Sequence, residues 1–325
     1  MNNNIYDLLD SVTPGEKLEY KNMTVFPLFT AGNDKLDYLT MKEAMEGDLL
    51  IIEEVSSGGS VPELRAVNKS EKPVLLLDGE EIIGAKQNRI LNTSVLLPEN
   101  SSVEINVSCT EQGRWSYRTE HFQDSNEVIT KDVRAMKMSS VSANLSMGAG
   151  FYSDQGEVWD EIASKQESAN VYSDTHAMKD VYEAKKNELN DYLEQFPIQK
   201  DQAGLLVFID GKAAGMDMVS LQKAYKIYHG KMVRSYAMEA SLSRRPANKP
   251  VSAETANGFI SHLENCSEHK HKSIGLGWDF RYEGTNIVGS ALVYNDTVVH
   301  TAFFSLGNER TDEMRGFRQR RNYRR

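Results

Sequence analysis

The densest run of chemistry-bearing side chains is Glu80, Glu81, Lys86, Gln87, Asn88, Arg89 and Asn92, set between the apolar stretches LLLDG and ILNTSVLL. A polar run between core strands is too costly to bury unpaired, so it belongs at a sheet end or along a polar cavity. Lys86 and Arg89 suit a phosphate or carboxylate, and Gln87, Asn88 and Asn92 can hydrogen-bond a base or a ribose. A solvated strand connection with ordinary surface charges accounts for the same residues without a ligand.

A second run, SCTEQGRW, holds Cys109, Glu111, Gln112, Arg114 and Trp115. Arg114 offers a guanidinium to a phosphate and Trp115 an indole to a base. The plainer alternative is a strand-end Trp beside a surface Arg. Cys109 shares the period-2 face of Val103, Ile105 and Val107, which points to a small core hydrophobe rather than a nucleophile. The acids Glu80, Glu81 and Glu111 are the groups available for general acid or base work if a glycosidic or phosphoester bond is broken.

Other candidates carry less. His262, Cys266, His269 and His271 have convergent spacing but match no metal-ligand pattern, and Lys270 and Lys272 oppose a cation, so no metal is expected. No cofactor is called for: P-loop, HExxH, GxSxG and CxxC patterns are absent, and GLGW lacks the third glycine of a dinucleotide fingerprint. His300, inside VVHTAFF, reads as a hydrogen-bonded core residue.

The elements that position these groups follow from hydropathy and turn chemistry. Strands dominate to about residue 120, and Asp78-Gly79 between two apolar runs suggests a type I′ hairpin. Helices are expected over 127–147, 155–168 and 176–195, the last stopping before Pro197. GLLVFIDGKAAGMDM forms a second Asp-Gly hairpin, followed by helices near 219–240 and 252–265. Strands near 274–282, 286–294 and 297–305 close the chain. This order favours an α+β fold of mostly antiparallel sheets with a helical middle segment. The parts expected are a β-rich 1–120, a helical 121–200, an α+β 201–306 packed with the first as one domain, and an Arg-rich disordered tail, 307–325.

The chain has 325 residues and a formal charge of −10, but residues 310–325 hold seven arginines against Asp312 and Glu313, a net +5, leaving −15 elsewhere. Nucleic acid is therefore a partner only through Arg315–Arg325, with Phe317 and Tyr323 for stacking. Two cysteines form no disulfide framework, and no basic-apolar leader or run of about 18 apolar residues appears, so a cytoplasmic protein without a membrane partner is expected.

The motifs SVPELRAVNKSEKPVLLLDGEEIIGAKQNRILNTSVLLP, VSCTEQGRW, GLLVFIDGKAAGMDM with MVRSYAMEA, and GLGWDFRYEGTNIVGSALVYNDTVVHTAFF resemble a bacterial family. That family is the ADP-ribosylglycohydrolase and rhodanese-phosphatase associated protein domain. The resemblance spans roughly residues 20–306 and implies a link to NAD use and ADP-ribose processing, with ADP-ribose-processing proteins as partners. It implies a small-molecule nucleotide ligand: Lys86, Arg89 and Arg114 on phosphates, Gln87, Asn88, Asn92 and Gln112 on ribose or base, Trp115 stacked. A scaffold or sensor for partner enzymes is the alternative.

Overall fold

The computed structural model describes residues 1–30, 36–56, 58–243, 246 and 249–307. The arginine-rich stretch Arg315–Arg325, expected above to contact nucleic acid, and the rest of the tail beyond Gly307 lie outside the described residues.

GLLVFI has no polar position because its strand is buried on both faces. Strand β13 (Gly204–Ile209) lies inside a nine-stranded antiparallel sheet with β1 (Thr13–Pro14), β2 (Leu18–Tyr20), β3 (Met23–Phe29), β14 (Lys212–Val219), β15 (Ser267–Lys272), β16 (Trp278–Gly284), β17 (Ile287–Tyr294) and β18 (Thr297–Ser305). Leu205 and Val207 point into one core, and Leu206 and Phe208 into another, as strand alternation requires. Helices α1 (Asn3–Ser11) and α7 (Ala253–Leu263) cover the second face.

A six-stranded antiparallel sheet is ordered β12 (Phe122–Val128), β8 (Glu80–Gly84), β9 (Arg89–Leu91), β11 (Ser101–Cys109), β6 (Glu63–Asn68) and β5 (Leu50–Glu54). Its two edges, β12 and β5, also lie against each other, so the sheet curls around the core of Ile52, Leu64, Ile82, Leu91 and Ile105. A small sheet of β4 (Leu39–Thr40), β7 (Val74–Leu76) and β10 (Val95–Leu97) bridges the units: Val74 and Leu76 face that core, Leu75 the central one. Between the large and the curled sheet pack α3 (Lys131–Ser146), α4 (Gln155–Ala169), α5 (Met178–Gln195) and α6 (Gln222–Leu242), and α2 (Met41–Glu46) lies against the curled sheet. The architecture is α+β, mostly antiparallel, with α3–α5 as the helical middle. Among the described residues no helix is long and apolar enough to cross a membrane.

Three local expectations change. Asp78-Gly79 is not a hairpin: β7 and β8 belong to different sheets, and only Gly79 has positive φ (+79°), with the Glu80 amide bonded to the Leu77 carbonyl. A type I′ turn needs positive φ at both central residues, whereas one at the third position is the type II requirement. Asp210-Gly211 and Asn295-Asp296 do have both φ values positive and do close hairpins. The helix expected from residue 127 starts at Lys131, because Phe122–Val128 pairs with β8. Finally, Ser267–Lys272, between the helix expected near 252–265 and the strand expected near 274–282, forms the edge strand β15, with His269 and His271 along it.

Candidate functional site

Cα pairing of β9 with β11 sets Arg89 opposite Cys109, which brings the two polar runs together. The chain leaving β11 turns back over the connection from β8 to β9. Lys86, Gln87, Asn88, Arg89, Glu111, Gln112, Arg114 and Trp115 thus gather at one mouth of the curled sheet.

Arg114 pins this assembly. Its Nη1 donates to the Ala85 and Ser116 carbonyls (both 2.7 Å), and its Nη2 to Gly84 O (3.1 Å), Asn88 Oδ1 (3.2 Å) and Glu111 Oε2 (2.6 Å). Glu111 also accepts from the Asn88 amide (3.2 Å) and from Thr175 Oγ1 (3.0 Å), and Arg118 Nη2 lies 3.4 Å away. Burial alone would raise its carboxyl, but Arg114 and these donors hold it below the usual range. Gln87 donates to the Glu111 carbonyl (3.0 Å) and accepts from Arg89 Nη1 (2.9 Å). Lys86 donates to the Gly58 carbonyl (2.7 Å) and lies 5.1 Å from the Trp115 ring centroid. Gln112 is exposed. Cys109 is buried, its Sγ donating to the Glu111 carbonyl (3.3 Å), and burial pushes its thiol up, as a core hydrophobe.

Three of the expected residues lie apart from the mouth. Glu80 is buried against α6, paired with Lys231 (2.7 Å). Asn92 donates to the Phe151 carbonyl (3.0 Å) and accepts from Ser108 Oγ (2.7 Å). Glu81, on the opposite face of β8 from Glu80, accepts from Thr110 Oγ1 (2.8 Å) and is otherwise sealed from water. Burial pushes its carboxyl up to about 7. An acid raised on folding loses stability as pH climbs, because the unfolded chain ionises first. The Glu81 contribution is therefore present below pH 4.5 and falls by roughly 3 kcal/mol between there and pH 7. Urea denaturation from pH 4.5 to 8 should show that decline flattened in Glu81→Gln; equal slopes in both proteins contradict it.

Two clefts flank the 111–121 segment. One, of about 330 Å³, is lined by Asn88, Glu111, Arg118, Tyr172, Thr175 and Lys179. The other, of about 620 Å³, is lined by Glu54, Arg65, Tyr117, Arg118, Thr119 and His121. The sequence reading missed Glu54, Arg118, Tyr172, Thr175 and Lys179. Glu54 had a signal, since period 2 in LIIEE sets it on the inward face of Leu50 and Ile52. The others have none: packing of the segment leading into α5 against Glu111–Gly113 delivers Tyr172, Thr175 and Lys179, with the Gly113 amide donating to Thr175 O (2.8 Å), and the Arg118 amide is seated by the Ala85 carbonyl (2.9 Å).

A separate set of charges is sealed between the sheets. Arg134 on α3 makes a bidentate pair with Asp217 (3.0 and 2.5 Å), and Lys137 pairs with Asp78. Ser94 Oγ lies 2.8 Å from His300 Nδ1, and His300 Nε2 lies 3.5 Å from Asp217 Oδ1. This has the order of a hydrolytic triad. However, Asp217 is committed to Arg134 and to Tyr236 Oη (2.7 Å), and none of the three lines either cleft.

Fold and site define an α+β protein whose polar chemistry converges on the mouth of a curled antiparallel sheet, walled on one side by the start of α5. Its sequence places it more narrowly: the chain belongs to the ARPP-1 family, the ARG and Rhodanese-Phosphatase-superfamily-associated Protein domain, whose profile matches residues 11–304. Neither the curated proteins nor the solved structures contain a match to it.

Proposed function

We propose that the chain binds an ADP-ribose- or NAD-derived nucleotide in the cleft of Asn88, Glu111, Arg118, Tyr172, Thr175 and Lys179. The observation that carries this reading is the composition of that wall. A carboxylate fixed by Arg114 opens onto a cleft that also holds two cations, Arg118 and Lys179, two further acids, Asp174 and Asp180, and a tyrosine that is 87% exposed. Arg118 and Lys179 suit a diphosphate, Tyr172 a stacked base, and Asn88 and Thr175 the ribose hydroxyls. Lys86 and Arg114, first assigned to phosphates, instead build the wall, because protein acceptors hold their donors. If a bond is broken, Glu111 is the one of the three expected acids that lines the cleft, beside Asp174 and Asp180; Glu80 and Glu81 do not line it. The ARG of the family name, read as ADP-ribosylglycohydrolase, supports the same ligand class, in a cytoplasm where Cys109 and Cys266 stay thiols.

Calorimetry of the full chain with ADP-ribose, NAD and their cyclic relatives tests this. Heat is expected with at least one, and Arg118→Ala and Lys179→Ala should each weaken it about tenfold. No heat with any of them at millimolar ligand overturns the reading. Mass spectrometry of the mixtures then separates an enzyme, which yields product, from a sensor, which returns the ligand intact.

A second reading rests on Trp115, Tyr117 and Tyr172, three exposed aromatics around the same loop. Aromatics of this kind anchor protein interfaces, and a scaffold for rhodanese-phosphatase-type partners would bury them.

A further inference from the structure

On the far side of the 111–121 segment, two buried side chains of opposite charge keep polar atoms with no hydrogen bond among the described residues. Arg89 is fully buried and spends Nη1 on Gln87, while its Nε and Nη2 bond to nothing. Glu54, at the inner end of β5, is 6% exposed, and neither of its carboxylate oxygens has a partner. Both lie beside Trp115, and among the described residues no ion pair joins them.

Trp115 is their common neighbour. Its ring centroid is 5.7 Å from the Arg89 guanidinium carbon. A Cβ built on Gly59 would lie 3.2 Å from Trp115 Cζ2 and 3.3 Å from Glu54 Oε2. Any side chain at Gly59, whose φ is +76°, would therefore crowd this place. Glu54 also borders the 620 Å³ cleft, together with Tyr117 and Arg118.

We propose that the Arg89–Glu54 mouth recognises a planar ring bearing a neutral amide or lactam edge. Its requirements narrow the chemistry. The Nε–Nη2 fork asks for acceptors and the Glu54 oxygens ask for donors. A carboxylate would satisfy Arg89 but meet Glu54; a cation would satisfy Glu54 but meet Arg89 and Lys86. A group that presents a carbonyl oxygen beside an N–H satisfies both and adds no charge, and the Trp115 indole offers its flat face a stacking partner. This site stands apart from the nucleotide cleft and does not depend on it.

The test uses three phosphate-free probes on the full chain, followed by tryptophan fluorescence and calorimetry: nicotinamide for the carboxamide, hypoxanthine for the lactam, and nicotinate as the acid control. At least one of the first two should bind, and which one tells carboxamide from lactam. Nicotinate should bind about tenfold or more weakly than nicotinamide, and Glu54→Gln should lose about tenfold in affinity for the bound probe. If Glu54→Gln does not fold, Trp115→Leu, at a half-exposed position, should show the same loss. Binding of neither amide, nicotinate binding as well as nicotinamide, or unchanged affinity in the folded variant overturns the proposal. Because no probe carries phosphate, failure here leaves the ADP-ribose result intact.

Discussion

Replacing Asp217 by alanine is expected to destabilise the protein by about 3–5 kcal/mol, the range found when one partner of a buried ion pair is removed. Total stabilities are about 5–15 kcal/mol, so this single change takes a large share. Asp217 receives both arms of Arg134 and the Tyr236 hydroxyl, and it faces the His300 ring, with every group sealed from water. Without it the one acid left to Arg134 among the described residues is Asp78, 3.7 Å from its Nε and already paired with Lys137. Urea titration should show a lower midpoint at unchanged slope, and a loss under about 1 kcal/mol would contradict this role. Exchanging both partners, Asp217→Leu with Arg134→Met, should recover much of the loss, because no charge is then stranded.

The pH dependence follows with a definite sign. Burial would raise the Asp217 carboxyl, but Arg134 and His300 hold it well below the usual carboxylate range. A depressed acid contributes fully above its unfolded value, about 3.9, and loses that contribution as pH falls toward the folded one. The acid branch of the stability curve should therefore be shallower in Asp217→Asn.

The sequence shows where elements lie better than which polar groups meet. Period 2 and period 3.6 locate β13, β17, β18 and α4–α7 within a few residues, because apolar faces are written locally. Two Asp-Gly pairs look alike in sequence yet differ in fate. Asp210-Gly211 closes a hairpin, while Asp78 is drawn into the core by Lys137, 59 residues away. Glu80 and Glu81 are neighbours in sequence, but strand alternation sends one to Lys231 and the other to Thr110. Lys86–Arg89 and Glu111–Trp115 were legible as polar runs, and their meeting was not, since it depends on the register of β9 against β11. Tyr172 and Lys179 reach the cleft only because Thr175 and Ala177 dock on the Glu111 segment, a contact with no local pattern behind it.

Arg114→Ala is the second change of large expected effect, about 3–5 kcal/mol, and it should also abolish nucleotide binding. One guanidinium satisfies three carbonyls, Asn88 Oδ1 and Glu111, and so ties the connection into β9 to the chain leaving β11. Its removal leaves those acceptors buried and leaves Glu111 with the Asn88 amide, Thr175 and the more distant Arg118. Arg114→Lys should recover less than half of the loss, because a point charge replaces a planar fork that reaches five acceptors. If the loss runs through Glu111, Arg114→Ala combined with Glu111→Gln should cost less than the two single changes added together, with a coupling above about 1 kcal/mol. Additive losses would instead assign the cost to the stranded carbonyls. A variant that melts like wild type but no longer binds ADP-ribose would contradict the wall-building role and return Arg114 to direct contact with phosphate. Arg114 does not line the cleft, so loss of binding and loss of stability should appear together.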